Sequence, residues 1–324
     1  MRRIIQFIKE WTLPVSIATG SILYLVFAFV PVLDSAAKLF APIFNAALPL
    51  FMFLVLYVTF CKVDFRKLIP VGWHLWIALS QVLMVVLVIG VILAFNVVGK
   101  SLILLEALLV CIICPCASAA AVVTQKLGGN IEEMTTYTFL SNFLCALLIP
   151  ICFPLIEKGA GITFLSAFMV ILYKVGLVLV VPMLLAYITK HWHALCRFYH
   201  WIISMNNLSF YLWGCSLLIV SGTTIKNIVH AEVSSGFLLL IAILALVLCL
   251  IQFVIGRYIG HFFQNRVNTG QALGQKNTAF AIWIAYVYLN PLSTVGPGCY
   301  ILWQNIINSV EIWKHNKSID AKKM

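Results

Sequence analysis

Long apolar runs separated by short polar segments follow one another along most of the chain. Many of these runs reach about 20 residues, the length that an α-helix needs to cross the hydrocarbon core of a bilayer. The pattern therefore predicts an all-α polytopic membrane protein. We expect ten transmembrane helices, with approximate spans at residues 13–32, 42–61, 71–97, 101–127, 133–155, 163–189, 200–221, 235–257, 268–290 and 292–313.

The composition supports this assignment for the whole chain. Apolar residues make up 63% of the 324 residues, charged residues make up 10%, and the mean hydropathy is +1.06. Soluble domains are about 45–50% apolar and about 25% charged. So large an apolar surface needs lipid as its solvent. We therefore expect one transmembrane domain over residues 1–324, with the lipid bilayer as its main partner.

The distribution of basic residues predicts the orientation. The net charge is +11, but the lysines and arginines lie in short segments between apolar runs, so we expect no nucleic-acid partner. With a cytoplasmic N-terminus, fifteen of the 21 fall on the cytoplasmic side, four fall on the other side, and Lys174 and Lys276 fall within spans. Cytoplasmic loops carry such an excess of positive charge. We expect a multi-pass protein of the plasma (cell inner) membrane with both termini in the cytoplasm.

The ten predicted spans form two groups of five, residues 1–158 and 162–324, with the break near Gly159–Gly161. Because five is an odd number, the second group enters the membrane from the opposite side. Two such halves with a shared fold form an inverted repeat, an architecture typical of secondary transporters. The halves show only weak similarity in sequence, so the symmetry is argued from the topology.

Two predicted spans, the fourth of each half, have interrupted centres. The first contains Pro115 followed by small residues, and the second opens with the polar run Asn268–Thr278. Proline removes a backbone donor from a helix, and a matched pair of interrupted helices is a pointer to the binding site of a transporter. We expect two discontinuous helices that cross. The alternative is a kinked packing helix together with a cytoplasmic loop and a shorter helix.

Several motifs lie at and around these interruptions. They are Pro115 and Gly129-Asn130 with the polar face of Thr135, Thr138, Ser141 and Asn142; Gly274–Thr278; Pro291, Gly296-Pro297-Gly298 and Trp303–Asn305; and Gln81. Together they resemble the bile acid:sodium symporter family. The resemblance implies ten helices in two inverted repeats, with helices 4 and 9 unwound where they cross. It also implies transport of bile acids and other organic anions, usually with two sodium ions bound behind the crossing.

The sodium ligands that the resemblance implies are largely missing from this chain. Ala120 and Ala121 stand where the family has serine and asparagine, and Met134 stands at a serine-type ligand. The acidic residue that both sodium sites share is replaced by Ala272, and the glutamine four residues later is replaced by Lys276. Sodium is a hard cation that binds oxygen ligands, so these changes predict the loss of classical sodium coupling.

Lys276 is the residue on which this prediction depends. Intramembrane lysines are costly and usually functional, so we expect Lys276 to be a built-in cation that replaces sodium. Burial disfavours the charged form of a lysine, which leaves proton coupling through Lys276 open. The alternative is that Lys276 extends to the cytoplasm in the manner of a snorkelling side chain. We expect no organic cofactor and no metal site.

The resemblance also implies positions for the two ligand types. Residues that match solute-facing positions of the family are Ser118, Asn277, Gln304 and Asn305. Residues at the ion positions are Lys276, Gln81, Thr138 and Gln275. The N-termini of half-helices direct partial positive charge at a cavity. We therefore expect secondary-active transport of a small anionic organic solute, either bile-acid-like or another organic acid.

Two further acidic features are expected to be structural. Glu106 lies one or two turns inside the outer end of the fourth span, and we expect it to extend towards Lys100 or the headgroups. Glu132 and Glu133 form the acidic first turn of the fifth span, where they complement the helix dipole.

Other function classes remain as alternatives. A carrier of the same architecture for arsenite or for proton-coupled metabolite efflux has the same sequence pattern. A membrane-embedded enzyme would need a catalytic set at membrane depth, but the histidines lie at helix ends and in loops. A sensor module would need a soluble output domain, and only about ten polar residues follow the last span. The solute, the transport direction and the oligomeric state stay open.

Overall fold

The computed structural model describes residues 11–156, 165–166, 169–170, 173, 176–205, 207–229 and 233–323. No residue in these ranges belongs to a β-strand, and thirteen α-helices are described. Lys174 and the predicted break near Gly159–Gly161 lie outside the described residues. The helices are α1 (Thr12–Phe29), α2 (Asp34–Lys62), α3 (Gly72–Ala94), α4 (Gly99–Ile113), α5 (Ala120–Lys126), α6 (Ile131–Ile156), α7 (Val181–His191), α8 (Cys196–Ser204), α9 (Leu208–Val229), α10 (Ser235–Phe262), α11 (Arg266–Gly274), α12 (Thr278–Tyr288) and α13 (Val295–Lys323).

Five of the described helices are long and apolar enough to cross a bilayer, namely α1, α3, α6, α9 and α10. They overlap the first, third, fifth, seventh and eighth predicted spans, which confirms a polytopic membrane protein. The seventh predicted span begins too early in the sequence, because residues 200–204 belong to α8 and α9 begins at Leu208. Shorter apolar stretches occupy Pro49–Lys62 within α2 and the whole of α12. The count of ten spans, the inverted repeat and the two halves stay predictions.

Both predicted interruptions are present in the structure. The fourth predicted span is divided into α4 and α5 by residues 114–119, and the ninth contains α11 and α12, separated by residues 275–277. At the first interruption the cause is local. Pro115 cannot continue a helix, and it forces the preceding residue into an extended conformation, which Cys114 adopts with φ −63° and ψ 150°.

The chain divides into two compact units. The first unit comprises residues Met1–Val63, Val180–His230 and Asn305–Met324. Within it, Gly20 of α1 lies directly against the backbone of α9, where a Cβ atom on residue 20 would collide with the carbonyl oxygen of Leu218. Tyr57 and Thr189 join α2 to α7 through a hydroxyl–hydroxyl hydrogen bond of 2.8 Å. The first unit is therefore held by close helix contacts.

The second unit comprises residues Asp64–Leu179 and Ala231–Gln304 and contains both interruptions. Its apolar core is formed by side chains of α3, α4, α6 and α12, among them Val85, Ile113, Ile149 and Ile284. Glu106 of α4 is fully buried in this unit, so the prediction that it extends towards Lys100 or the headgroups is wrong. The acidic first turn of α6 is confirmed, and the Asn130 side chain caps it by accepting the Glu133 backbone N–H at 3.0 Å.

The contact at Gly20 predicts a strong sensitivity to side-chain size. In Gly20→Ala the new methyl group meets a backbone atom, so α1 and α9 must move apart, at a cost of about 1–3 kcal/mol. Thermal denaturation of the detergent-solubilised protein measures the effect. The control is Gly90→Ala on α3, where nothing lies within 4 Å of the new atom. Equal midpoints for the two variants would contradict the close packing.

Candidate functional site

The two helix interruptions pair with each other through their backbones. Ala117 N–H donates to the Gln275 carbonyl at 2.9 Å, and Asn277 N–H donates to the Pro115 carbonyl at 2.9 Å. Cys116 and Lys276 face each other in this isolated antiparallel bridge. Polar backbone groups at membrane depth have no bulk water to bond. The bridge therefore gives partners to groups that each interruption, taken alone, would leave without one.

The Lys276 side chain runs from the bridge to the C-terminal end of α4. Its ammonium nitrogen donates to the carbonyls of Ile112 at 3.0 Å and Cys114 at 3.3 Å, and the residue is 1% exposed. The last carbonyls of a helix lack intrahelical partners and carry partial negative charge. The ammonium group thus neutralises a helix end, and the alternative of a snorkelling lysine is wrong.

Gln81 of α3 reaches the same helix end. Its amide nitrogen lies 3.0 Å from the Ile112 carbonyl, 3.0 Å from the Ile113 carbonyl and 3.2 Å from the Cys114 carbonyl. Its amide oxygen is buried and has no hydrogen-bond partner among the described residues. An amide and an ammonium therefore converge on the terminal carbonyls of α4.

The other ion-position residues lie around the bridge without touching the ammonium in the described contacts. Thr138 of α6 is buried, donates to the Met134 carbonyl at 2.9 Å and faces the thiol of Cys116. Gln275 contributes its backbone to the bridge, but its side chain is fully buried and neither amide atom has a partner among the described residues. A desolvated, unpaired amide is costly, which makes Gln275 a candidate for contact with a polar ligand.

Gln304 of α13 clamps the backbone of Lys276. Its amide oxygen accepts the Lys276 N–H at 2.8 Å, and its amide nitrogen donates to the Lys276 carbonyl at 3.2 Å. The residue is 3% exposed. Both ends of the amide therefore bind one residue of the second interruption, in the way that a neighbouring strand would.

A second brace, missed by sequence reasoning, lies one turn earlier on α13. The Tyr300 hydroxyl donates to the Gly274 carbonyl at 2.7 Å and accepts from the Gln252 side chain at 3.1 Å. Gly274 has no room for a side chain, because a Cβ atom there would lie 2.4 Å from the Phe253 ring. The signal for this brace is the i, i+4 spacing of Tyr300 and Gln304 on an apolar helix face.

A polar cluster joins the other ends of the two interrupted helices. The Glu133 carboxylate accepts from Trp73 at 2.7 Å, from Asn265 at 2.6 Å and from Asn130 at 3.1 Å. Asn268 donates to the Asn130 carbonyl at 2.7 Å and accepts the Asn130 N–H at 3.0 Å. The turn between α5 and α6 is thereby fixed to the start of α11.

The four predicted solute-facing residues fall into different surroundings. Ser118 and Asn277 lie within two residues of the bridge and are half-buried, and the Asn277 side chain caps α12 by accepting the Phe280 N–H at 3.2 Å. Gln304 is engaged with Lys276, as described. Asn305 belongs to the first unit, where it is buried and its carbonyl accepts the Ser309 hydroxyl at 2.6 Å.

Removal of the Gln304 clamp should destabilise the second interruption. Gln304→Leu leaves the buried N–H and carbonyl of Lys276 without their partners, and an unsatisfied buried polar group costs about 1–3 kcal/mol. We expect a thermal midpoint well below that of Gln125→Leu, a control at an exposed glutamine of α5. Equal midpoints would show that the clamp contributes nothing to the fold.

Comparison with known proteins identifies the family of the chain. No curated protein matches the chain. A profile of the Sodium Bile acid symporter family matches residues 49–257, well over half of the chain. The matched range includes the first interruption, Gln81 and Thr138. The chain therefore belongs to the sodium bile acid symporter family of membrane solute transporters.

Proposed function

We propose that the protein is a secondary-active carrier of a small organic anion in which the ammonium group of Lys276 takes the place of a coupling sodium ion. The observation that carries the proposal is the position of this group. Lys276 is buried, and its ammonium nitrogen lies at hydrogen-bond distance from two carbonyls at the end of α4. Those carbonyls are the type of ligand that a bound cation would use.

Electrostatics argues against a sodium ion beside this lysine. Two positive charges about 4 Å apart repel each other by about 4 kcal/mol at an effective dielectric constant of about 20. A nearby carboxylate would offset this repulsion, but the position that would supply it is Ala272, which is buried on α11. Ala120, Ala121 and Met134 are also buried, and they bring no side-chain oxygen. A sodium ion at this place would therefore lack the neutralising carboxylate and three side-chain oxygen ligands.

The carrier we propose has ten transmembrane helices in two inverted repeats and works by alternating access. The matched interruptions support this arrangement, because each lies in the fourth predicted span of its half. The backbone bridge supports it further, since it joins the two interrupted segments at one point. Both termini would be cytoplasmic, as the distribution of lysine and arginine indicates.

We place the solute next to the bridge, at Ser118 and Asn277. Both side chains are half-buried, so they remain accessible, whereas the amide of Gln304 is already bound to Lys276. The N-terminus of α12 begins at Asn277 and carries partial positive charge. This charge, together with the fixed charge of Lys276, favours an anionic solute. Asn305, which belongs to the other unit, stays a prediction from the sequence resemblance.

The central prediction is that the protein does not respond to sodium. The thermal midpoint of the wild type should be equal in sodium chloride and in potassium chloride of the same concentration. Uptake of a labelled anion panel, for example cholate, benzoate and succinate, into proteoliposomes should not depend on sodium. A marked rise in midpoint or uptake with sodium would overturn the proposal. If none of these anions is taken up, the proposal that the solute is a small organic anion would be overturned.

A gain of sodium binding should follow from restoring the implied ligands. Ala272→Glu/Lys276→Gln restores the carboxylate and the amide that the resemblance implies, and it removes the fixed positive charge. Sodium at ten times its dissociation constant should then stabilise the protein by about 1.4 kcal/mol relative to potassium. Ala272→Glu alone is the matched control, because Lys276 would occupy the new carboxylate. A double variant that ignores sodium would show that Lys276 does not stand in for the ion.

A further inference from the structure

Glu106 is a fully buried carboxylate that the proposed mechanism does not use. It lies near the middle of α4 and is 0% exposed. One of its carboxylate oxygens accepts the Ser293 hydroxyl at 2.6 Å and the Asn290 backbone N–H at 3.3 Å. Both partners belong to the connection between α12 and α13. An ionisable side chain within a membrane segment is costly to keep and is a functional candidate by default.

The partners of Glu106 and Lys276 differ in what they allow. The carbonyls that bind Lys276 are acceptors only, so they favour the protonated ammonium form. The Ser293 hydroxyl can either donate or accept a hydrogen bond. When Glu106 is ionised, Ser293 donates to it. When Glu106 is protonated, its own O–H can donate to the Ser293 oxygen. The contact with Ser293 therefore survives the gain or loss of a proton by Glu106.

Close packing holds Glu106 next to Ser293. Gly296 at the start of α13 lies so near to α4 that a Cβ atom on it would be 2.7 Å from the Ala107 carbonyl oxygen. The Asn290 side chain accepts the Leu292 N–H at 3.0 Å, which fixes the connection locally. The Ser293 hydroxyl and the Asn290 N–H are thus two neutral donors held against one oxygen of the Glu106 carboxylate.

The helices α3, α6, α10 and α12 and the connection at Ser293 pack against α4. Besides Glu106, α4 carries the exposed Lys100 and the buried Cys111. The titratable residues on the packed helices are His74 on α3; Glu132, Glu133, Tyr137, Cys145 and Cys152 on α6; Cys249, Arg257, Tyr258 and His261 on α10; and Tyr286 and Tyr288 on α12. His74 and Glu133 belong to the polar contacts at the start of α6. Thiols and phenols are neutral near pH 7 in their ordinary state.

We propose that Glu106 is a proton-binding site of the carrier. A proton from solvent adds to the Glu106 carboxylate, and Ser293 changes from hydrogen-bond donor to acceptor. The inference rests on the proposed function, since a carrier without bound sodium needs another ion if it is to accumulate its solute. Lys276 is then the fixed charge, and Glu106 is the group that titrates. The proton that drives transport would therefore bind to Glu106 and not to Lys276.

Infrared difference spectroscopy of the full-length protein in lipid tests the site with the proton itself as the probe. In the wild type, the carbonyl band of a protonated buried carboxyl group should grow as the pH is lowered. It should be absent in Glu106→Gln and retained in Glu132→Gln, a half-buried carboxylate at the start of α6. A wild type without this band, or a band that persists in Glu106→Gln, would overturn the proposal.

Variants of the partner give a second test if Glu106→Gln does not fold. Loss of a hydrogen bond to a charged group amounts to about 1.5–3 kcal/mol, so Ser293→Ala should move the titration midpoint by about one to two pH units. Ser293→Thr keeps the hydroxyl and should restore the wild-type midpoint. Identical titrations in all three proteins would refute the role of this pair. The sodium response of the wild type is measured separately, so failure of the carrier proposal is distinguishable.

Discussion

The structure of the second unit depends on one constraint, which is that two helices are interrupted and their polar backbone must be satisfied without water. The bridge between residues 115–117 and 275–277 meets part of this demand, because each interruption supplies the partner that the other lacks. The remainder is met by side chains that bind backbone. Gln81 and Lys276 donate hydrogen bonds to the terminal carbonyls of α4. Tyr300 donates to the last carbonyl of α11, and Gln304 binds the backbone N–H and carbonyl of Lys276. Without these bonds, neither interruption would be tolerated at membrane depth.

The same need for backbone partners explains why the Lys276 side chain lies at the C-terminal end of α4. The end of a helix within lipid attracts a cation, and a protein can supply that cation as a bound ion or as a side chain. In this chain the ammonium group of Lys276 lies at the end of α4. An attached cation does not need to be captured from solution and does not leave during a transport cycle. If Lys276 replaces sodium as we propose, accumulation of a solute must use another ion, and the buried carboxylate of Glu106 is the group that we propose binds it.

Several of these features were predictable from the sequence because they have local causes. The apolar runs of α1, α3, α6, α9 and α10 determine their length and depth, and Pro115 interrupts its helix through its own geometry. The surroundings of Gln304 and Glu106 were not predictable, because their partners lie 28 and 187 positions away in the sequence. A polar residue in an apolar helix indicates that a partner exists, but only the fold identifies it. The sequence therefore indicates a membrane-surface position for Glu106, which is wrong because the residue is fully buried. The role of Gln304 as a solute contact stays a prediction.

The Gln304 clamp has a consequence for how such a carrier can change during evolution. Because Gln304 bonds to the N–H and the carbonyl of residue 276, it recognises that residue through its main chain. The path of the second interruption is therefore maintained independently of which side chain residue 276 carries. A substitution there can alter the charge at the end of α4 while the crossing of the two segments is preserved. The bonds from Gln304 that hold this segment are thus separate from the side chain at residue 276, the position at which we propose that a coupling cation is replaced.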